Sequence, residues 1–152
     1  MKDIKQILAV NRMTKYCPKA IYYGIVLSQK HGFELSVVHI IDTSWFKGWN
    51  FPMMSIEEEY KKDLEKKKKK IDNIISREKR KGMIIKEFTV QGDPTTEIFK
   101  VIKEEKIDML ILVAHQESRL EHFFFGYSNE EIIEKMPCSI LLVKKDFEPM
   151  SY

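Results

Sequence analysis

The sequence predicts an α/β fold, an open doubly wound sheet of five parallel strands with four helices. Three observations support this prediction: short apolar runs, helix-like segments between them, and no internal repeat or linker along 1–152. Alternation of this kind produces a parallel sheet with right-handed crossovers and helices on both faces. A chain of 152 residues fits one such domain with one sizeable core.

Five compact apolar runs are the predicted strands. They cover residues 6–10, 34–41, 83–90, 109–113 and 138–145. The first of them, residues 6–10, is a compact run typical of a strand that is buried on both faces.

Two longer helices are predicted between the first three strands. The first begins at Pro18 and ends at Gly32, a residue suited to a left-handed cap. Its expected apolar side contains Ala20, Tyr23, Gly24 and Leu27, with Ile21 and Ile25 as further candidates. The second helix has Ser55 as its expected N-cap and ends before Gly82. Its apolar stripe comprises Ile56, Tyr60, Leu64, Ile71, Ile74 and Ile75.

Two shorter helices follow. Asp93 is the expected N-cap of the third helix, with Pro94 at its first position. The segment 128–136 forms the fourth. The remaining long connection, residues 43–54, is unusually aromatic, and it is expected to be a lid, an oligomer contact or a self-packed loop.

Composition and charge exclude several classes of protein. The formal net charge is only +3. The Lys-rich helix 56–81, with eleven basic against seven acidic residues, carries all of this excess, which favours a solvated helix face over a nucleic-acid surface. The chain lacks an apolar run long enough for a membrane helix or a secretion signal, so a cytoplasmic protein is expected. Cys17 and Cys138 are then expected to be reduced thiols.

Several segments together resemble the universal stress protein family. They are residues 7–42, which end in His-Ile-Ile-Asp, the Val-Gln-Gly-Asp-Pro segment 90–94, and the closing segment 136–145 with its Pro-Cys pair. The resemblance implies a Rossmann-like fold of the adenine nucleotide hydrolase type. It also implies a homodimer formed through the last strand, with Ile140, Leu141, Leu142 and Val143 at the interface.

The resemblance also indicates where a nucleotide would bind, and there the sequence departs from the family. Nucleotide-binding members carry G-x-x-G, nine residues and then G-S/T, which fall here on Val113, Gln116, Gly126 and Tyr127. Those members place Asp at the position of Arg12. Gly126 alone keeps the motif, and residues with a Cβ approach phosphate less closely than glycine does.

The candidate nucleotide or anion site combines these positions with their neighbours. It comprises Val10, Asn11, Arg12, Ile40, Val113, His115, Gln116, Gly126, Tyr127, Ser128 and Asn129. Ser128 or Asn129 either favours an anion or caps the last helix. Arg12 pairs either with an anion or with an acid such as Glu117. No spacing indicates a catalytic group or a metal ligand set.

The predicted function is therefore a non-enzymatic, dimeric binding or signalling module of the stress response with a degraded nucleotide loop. No cofactor is expected, and bound ATP belongs to an alternative interpretation. One alternative is an ATP-binding member with a variant phosphate loop and slow hydrolysis. Another is a nucleic-acid-associated protein that uses the Lys-rich helix. A protein partner at the aromatic loop stays open, because exposed rings favour contacts.

Overall fold

The computed structural model describes residues 3–12, 17–41, 54–114 and 128–144, and every structural statement concerns these ranges. Five strands alternate with four helices. In chain order they are β1 (Gln6–Asn11), α1 (Cys17–His31), β2 (Glu34–Ile41), α2 (Met54–Arg80), β3 (Ile85–Gln91), α3 (Pro94–Glu104), β4 (Met109–Ala114), α4 (Ser128–Lys135) and β5 (Ser139–Lys144).

The strands form one parallel sheet in the order β3-β2-β1-β4-β5. The chain first winds outward from β1 to β3 and then crosses back to place β4 on the other side of β1. This reversal makes the carboxyl ends of β1 and β4 the switch point of the sheet, where open α/β folds bind ligands. The predicted fold class is confirmed.

Two apolar cores cover the two faces of the sheet. On one face, Ile7 and Ala9 of β1 pack with Ile21 of α1 and Ile71 of α2. On the other face, Leu8 and Val10 pack with residues of α3 and α4 such as Ile98 and Ile132. Successive residues of a strand point to opposite faces, so one continuous apolar run supplies both cores. This arrangement explains why the central strands β1 and β4 lack polar alternation.

The helix ends follow two different patterns. Gly32 after α1 and Gly82 after α2 have φ of 71° and 99°, in the left-handed region that favours glycine. Lys106 and Met136, which follow α3 and α4, have φ of 52° and 44° although they carry side chains. The predicted role of Gly32 as a left-handed cap is confirmed.

Several local predictions were wrong in detail. Tyr23 is exposed, but the rest of the predicted apolar side of α1 is confirmed, since Ala20, Ile21, Gly24 and Ile25 are buried and Leu27 packs against the core. The helix α2 already includes Met54, which places Ser55 inside it, and β3 begins at Ile85, after Met83 and the exposed Ile84.

Other predictions on these elements have mixed outcomes. Ile71 and Ile75 of α2 are buried as expected. The side chains of Ile56, Tyr60 and Leu64 lie outside the described part of the structure, and so does the aromatic loop up to residue 53.

Asp93 is the N-cap of α3, as predicted. Its Oδ2 accepts a hydrogen bond of 3.0 Å from the backbone N–H of Thr96 and one of 2.7 Å from the Thr96 hydroxyl. Pro94 follows at the first helical position, where a missing N–H costs nothing.

We predict that Asp93→Ala lowers the free energy of unfolding by about 1 kcal/mol, because it leaves the first-turn N–H of Thr96 without its acceptor. Urea denaturation of both proteins measures the difference. Asp93→Asn is the matched control, since its side-chain oxygen still accepts the same bond. Equal losses in the two variants would contradict a capping role.

Candidate functional site

The residues predicted at the end of β1 lie together at the switch point. Asn11 is the last residue of β1 and is fully buried, and Arg12 follows it with 8% of its surface exposed. Val113 of β4 is also buried. Val10 and Ile40 lie in the core beneath α3 and α4, where they pack against apolar neighbours. Their role is therefore to hold β1 and β2 in place beneath the site.

Asn129 connects the start of α4 to the end of β4. Its side-chain Nδ2 donates a 3.1 Å hydrogen bond to the backbone carbonyl of Val113, sixteen residues earlier. The helix begins at Ser128, so Asn129 lies within it and the alternative that Asn129 is the N-cap was wrong. This bond holds the start of α4 close to the end of β4, and residues 115–127 connect these two points.

The segment itself lies outside the described residues. It contains His115, Gln116, Gly126 and Tyr127, and the side chain of Ser128 is not described either. The first turn of α4 does carry two acidic residues, Glu130 and Glu131. Carboxylates near a helix N-terminus interact favourably with the helix dipole, and they repel a phosphate that approaches the same N–H groups.

A second polar cluster lies across β1, β2 and β3 beneath α2. The Nδ2 of Asn11 lies 2.9 Å from Nδ1 of His39, and Nε2 of His39 lies 3.0 Å from Oε1 of Glu87. Lys79 of α2 donates to the other carboxylate oxygen, Oε2 of Glu87, at 2.7 Å. A carboxylate only accepts, so Nε2 of His39 carries the proton and Nδ1 accepts from Asn11.

Burial and charge act in opposite directions on Glu87. Partial burial raises the pKa of its carboxyl group, but the hydrogen bonds from Lys79 and His39 lower the pKa more, so the net pKa lies below its usual value. Glu87 is therefore ionised at neutral pH. The charged carboxylate holds the proton of the buried His39 on Nε2.

Sequence patterns did not reveal this cluster. His39 appeared only as part of the family-like ending of β2, and Glu87 and Lys79 appeared as ordinary charged residues. The three come together because parallel strands in register place Asn11 beside His39, with Glu87 diagonally next to it on the neighbouring strand. One signal in the sequence could have predicted the contact between Asn11 and His39. Both are polar residues near the carboxyl ends of apolar strands that lie next to each other in the sheet.

The Lys-rich part of α2 is a solvent-exposed helix surface. Lys66, Lys68, Lys69 and Lys70 are exposed, and Lys67 pairs with Asp63 of the preceding turn. Exposed acidic residues, among them Asp63 and Glu65, flank these lysines on the same helix. None of the helices in the described ranges combines the length and the apolar character that crossing a membrane requires.

A family model, that of the universal stress protein family, matches residues 4–144. This range includes nearly every residue that the structure describes. The chain belongs to the universal stress protein family. The resemblance seen in the sequence is thereby confirmed.

Individual relatives agree with this assignment. Universal stress protein MJ0577 of Methanocaldococcus jannaschii is 29% identical over 125 residues, which cover 74% of this chain and 77% of that protein. A solved structure of MJ0577 has a TM-score of 0.67 over 95% of this chain and 98% of its own, at 26% identity. A universal stress protein of Methanothermobacter thermautotrophicus is 23% identical over 152 residues, which cover 95% of this chain and 99% of that protein.

A universal stress protein of Arabidopsis thaliana, solved with AMP bound, has a TM-score of 0.58 at 14% identity and covers 97% of each chain. At this level of identity the similarity shows a shared fold. The AMP belongs to that protein.

We predict that Asn11→Ala lowers the free energy of unfolding by about 1–3 kcal/mol, because it leaves the buried Nδ1 of His39 without its hydrogen-bond donor. Thermal or urea denaturation measures the loss. Thr89→Ala is the matched control: Thr89 lies beside His39 on β3 but is exposed, so its replacement is expected to change stability by at most about 0.5 kcal/mol. Equal stability of the Asn11 variant and the native protein would contradict this account.

Proposed function

We propose that this universal stress protein is a non-enzymatic binding and signalling module whose nucleotide loop no longer holds ATP tightly. The observation that carries the proposal is Arg12, buried to 8% exposure at the end of β1. Nucleotide-binding members of the family place Asp at this position. A guanidinium group donates hydrogen bonds and cannot accept them, so the adenine-binding role of Asp has no substitute in Arg12.

The phosphate side of the site supports the same proposal. Val113 stands where the first glycine of the motif is expected, and it is β-branched and buried. The two carboxylates in the first turn of α4 add negative charge where a phosphate would approach. The branched side chain and the carboxylates are both expected to weaken ATP binding.

A second candidate function is ATP binding through a variant phosphate loop, with slow hydrolysis. The AMP-bound Arabidopsis relative favours it, because the same fold holds an adenine nucleotide there. The tie between Asn129 and Val113 also keeps the start of α4 beside β4, as a phosphate-binding helix would require. Nucleic-acid binding through α2 has no comparable support, since exposed acidic residues such as Asp63 and Glu65 flank its lysines.

We predict that native protein binds ATP at least about a hundredfold more weakly than a variant with Arg12→Asp, Val113→Gly, Gln116→Gly and Tyr127→Ser. Two lost charge-assisted hydrogen bonds of about 1.5–3 kcal/mol each account for this difference. Calorimetric titration of both proteins with ATP measures it. Mass spectrometry of the denatured proteins tests for co-purified nucleotide.

Two controls show which part of the site causes the difference in ATP affinity. Arg12→Asp alone separates the adenine contribution from that of the phosphate loop. Adenosine in place of ATP tests whether the restored affinity depends on the phosphates. Micromolar ATP binding by the native chain would refute the proposal and would establish the variant phosphate loop instead.

We also propose that the protein forms a homodimer through β5. This strand lies at one edge of the sheet, and its outer side has no strand partner within the described ranges. Leu142 is 48% exposed, whereas Val143 is buried and Ile140 and Leu141 pack against the two cores. An apolar edge strand of this kind readily pairs with a second copy. Leu142 is thus the interface candidate that can be changed without disturbing a core.

We predict that Leu142→Lys converts the protein from dimer to monomer, because it places a charge in an apolar contact between copies. Light scattering coupled to size-exclusion chromatography measures the mass. Ile84→Lys is the matched control, because Ile84 is also exposed but lies before β3 at the opposite edge of the sheet. A native protein of monomeric mass would overturn the proposed interface.

The remaining expectations on partners and location also stay proposals. We expect a cytosolic protein in which Cys138 is a reduced thiol of low reactivity, because partial burial raises the pKa of this free cysteine. The proposed protein partner at the aromatic loop concerns residues outside the described ranges.

A further inference from the structure

We propose that His39, Asp72 and Glu87 form a binding site for a divalent transition-metal ion of the Zn²⁺ type. The three residues come from β2, α2 and β3 and lie on the face of the sheet that α1 and α2 cover. Each offers one ligand atom, and the three atoms lie within 4.8 Å of one another. The proposed site is separate from the nucleotide loop and concerns an activity that the proposed function does not require.

The spacing of the ligand atoms suits a small cation. Nε2 of His39 and Oε1 of Glu87 are 3.0 Å apart. In a tetrahedral zinc site with metal–ligand bonds of about 2.0–2.1 Å, neighbouring ligand atoms lie ~3.3 Å apart. Insertion of the ion between this pair therefore requires a separation of only a few tenths of an ångström. Asp72 completes the set with a modest rotation of its side chain.

Asn11 supplies the support that metal-bound histidines usually have. A metal ion takes the lone pair of Nε2, so the imidazole proton must move to Nδ1. The carboxamide of Asn11 then turns over, so that its Oδ1 accepts a hydrogen bond from Nδ1–H at the place where Nδ2 now donates. An outer hydrogen bond of this kind fixes the tautomer and the orientation of the ring. A valine or alanine at position 11 would lack this ability.

The donor set decides the class of metal. One imidazole and two carboxylates suit Zn²⁺ and similar transition ions, whereas Mg²⁺ and Ca²⁺ prefer sites built of oxygen alone. Two carboxylates neutralise the charge of the ion. Lys79 bonds Oε2 of Glu87, which leaves Oε1 for the metal. Three protein ligands leave the fourth tetrahedral position for water or a small anion.

The site is accessible from the side of α2. The His39 ring is at the bottom, with 2% of its side chain exposed, while the Glu87 side chain is 30% exposed and Asp72 is half-buried. An ion can therefore reach the carboxylates from solvent and then contact the imidazole. The competing interpretation is an ordinary ion-pair network of Lys79, Glu87 and His39 that stabilises the fold and binds no metal.

Calorimetric titration of the chelator-treated full-length protein with ZnCl₂ separates these interpretations. We expect saturable binding of one ion per chain. Asp72→Asn and Glu87→Gln are expected to weaken it by more than tenfold, because even supporting residues of a metal site contribute tenfold or more. Both changes preserve the shape of the side chain. Asp63→Asn is the matched control, since Asp63 lies on the same helix but pairs with Lys67 at the surface.

Two further measurements make the outcome specific. Co²⁺ in place of Zn²⁺ is expected to give a visible absorption band in native protein that Asp72→Asn loses, and an excess of Mg²⁺ is expected to leave Zn²⁺ affinity unchanged. Absence of saturable Zn²⁺ binding would overturn the proposal. Binding that persists at native strength in both Asp72→Asn and Glu87→Gln would overturn it as well, because the ion would then occupy other histidines or cysteines.

Discussion

The burial of β1 on every side is the constraint from which the rest of this structure follows. It pairs with β2 and β4, and helices cover both of its faces. A polar group at its carboxyl end is therefore out of reach of water and must find a partner inside the protein. Asn11 meets this requirement through His39, and His39 in turn through Glu87. One buried strand thus imposes a chain of polar contacts that extends to the surface of α2.

The same end of β1 carries the residues on which the proposed loss of tight ATP binding rests. The fold has a switch point there, and a hydrogen bond from Asn129 ties the start of α4 to β4. Arg12 places a buried guanidinium group at this point, and Val113 places a buried branched side chain there. Packing constrains the scaffold and ligand chemistry constrains the site, so the fold alone does not determine what binds.

The fold could be predicted from the sequence because apolar runs of five to eight residues carry its main signal. Each run contributes to both cores, so a short and nearly continuous apolar run identifies a strand in the sequence. The face of α1 was harder to predict, since Tyr23 and Ile25 are both apolar and only packing against the sheet selects Ile25. The polar cluster could not be predicted from local spacing, because His39, Asp72 and Glu87 are brought together by strand register and helix placement. Asn129 likewise resembled a cap, but its bond to Val113 depends on tertiary structure.

The two layers of helices differ in the conformational strain at their ends. Glycines follow α1 and α2, so the left-handed backbone there is free of steric cost. Lys106 and Met136 adopt the same conformation after α3 and α4 with a Cβ present, at a cost of roughly 1–2 kcal/mol each. Among the described residues, the ends of α3 and α4 therefore carry strain that the ends of α1 and α2 lack, and local opening of those ends releases it. The two pairs of helices thus differ in how readily their carboxyl ends open.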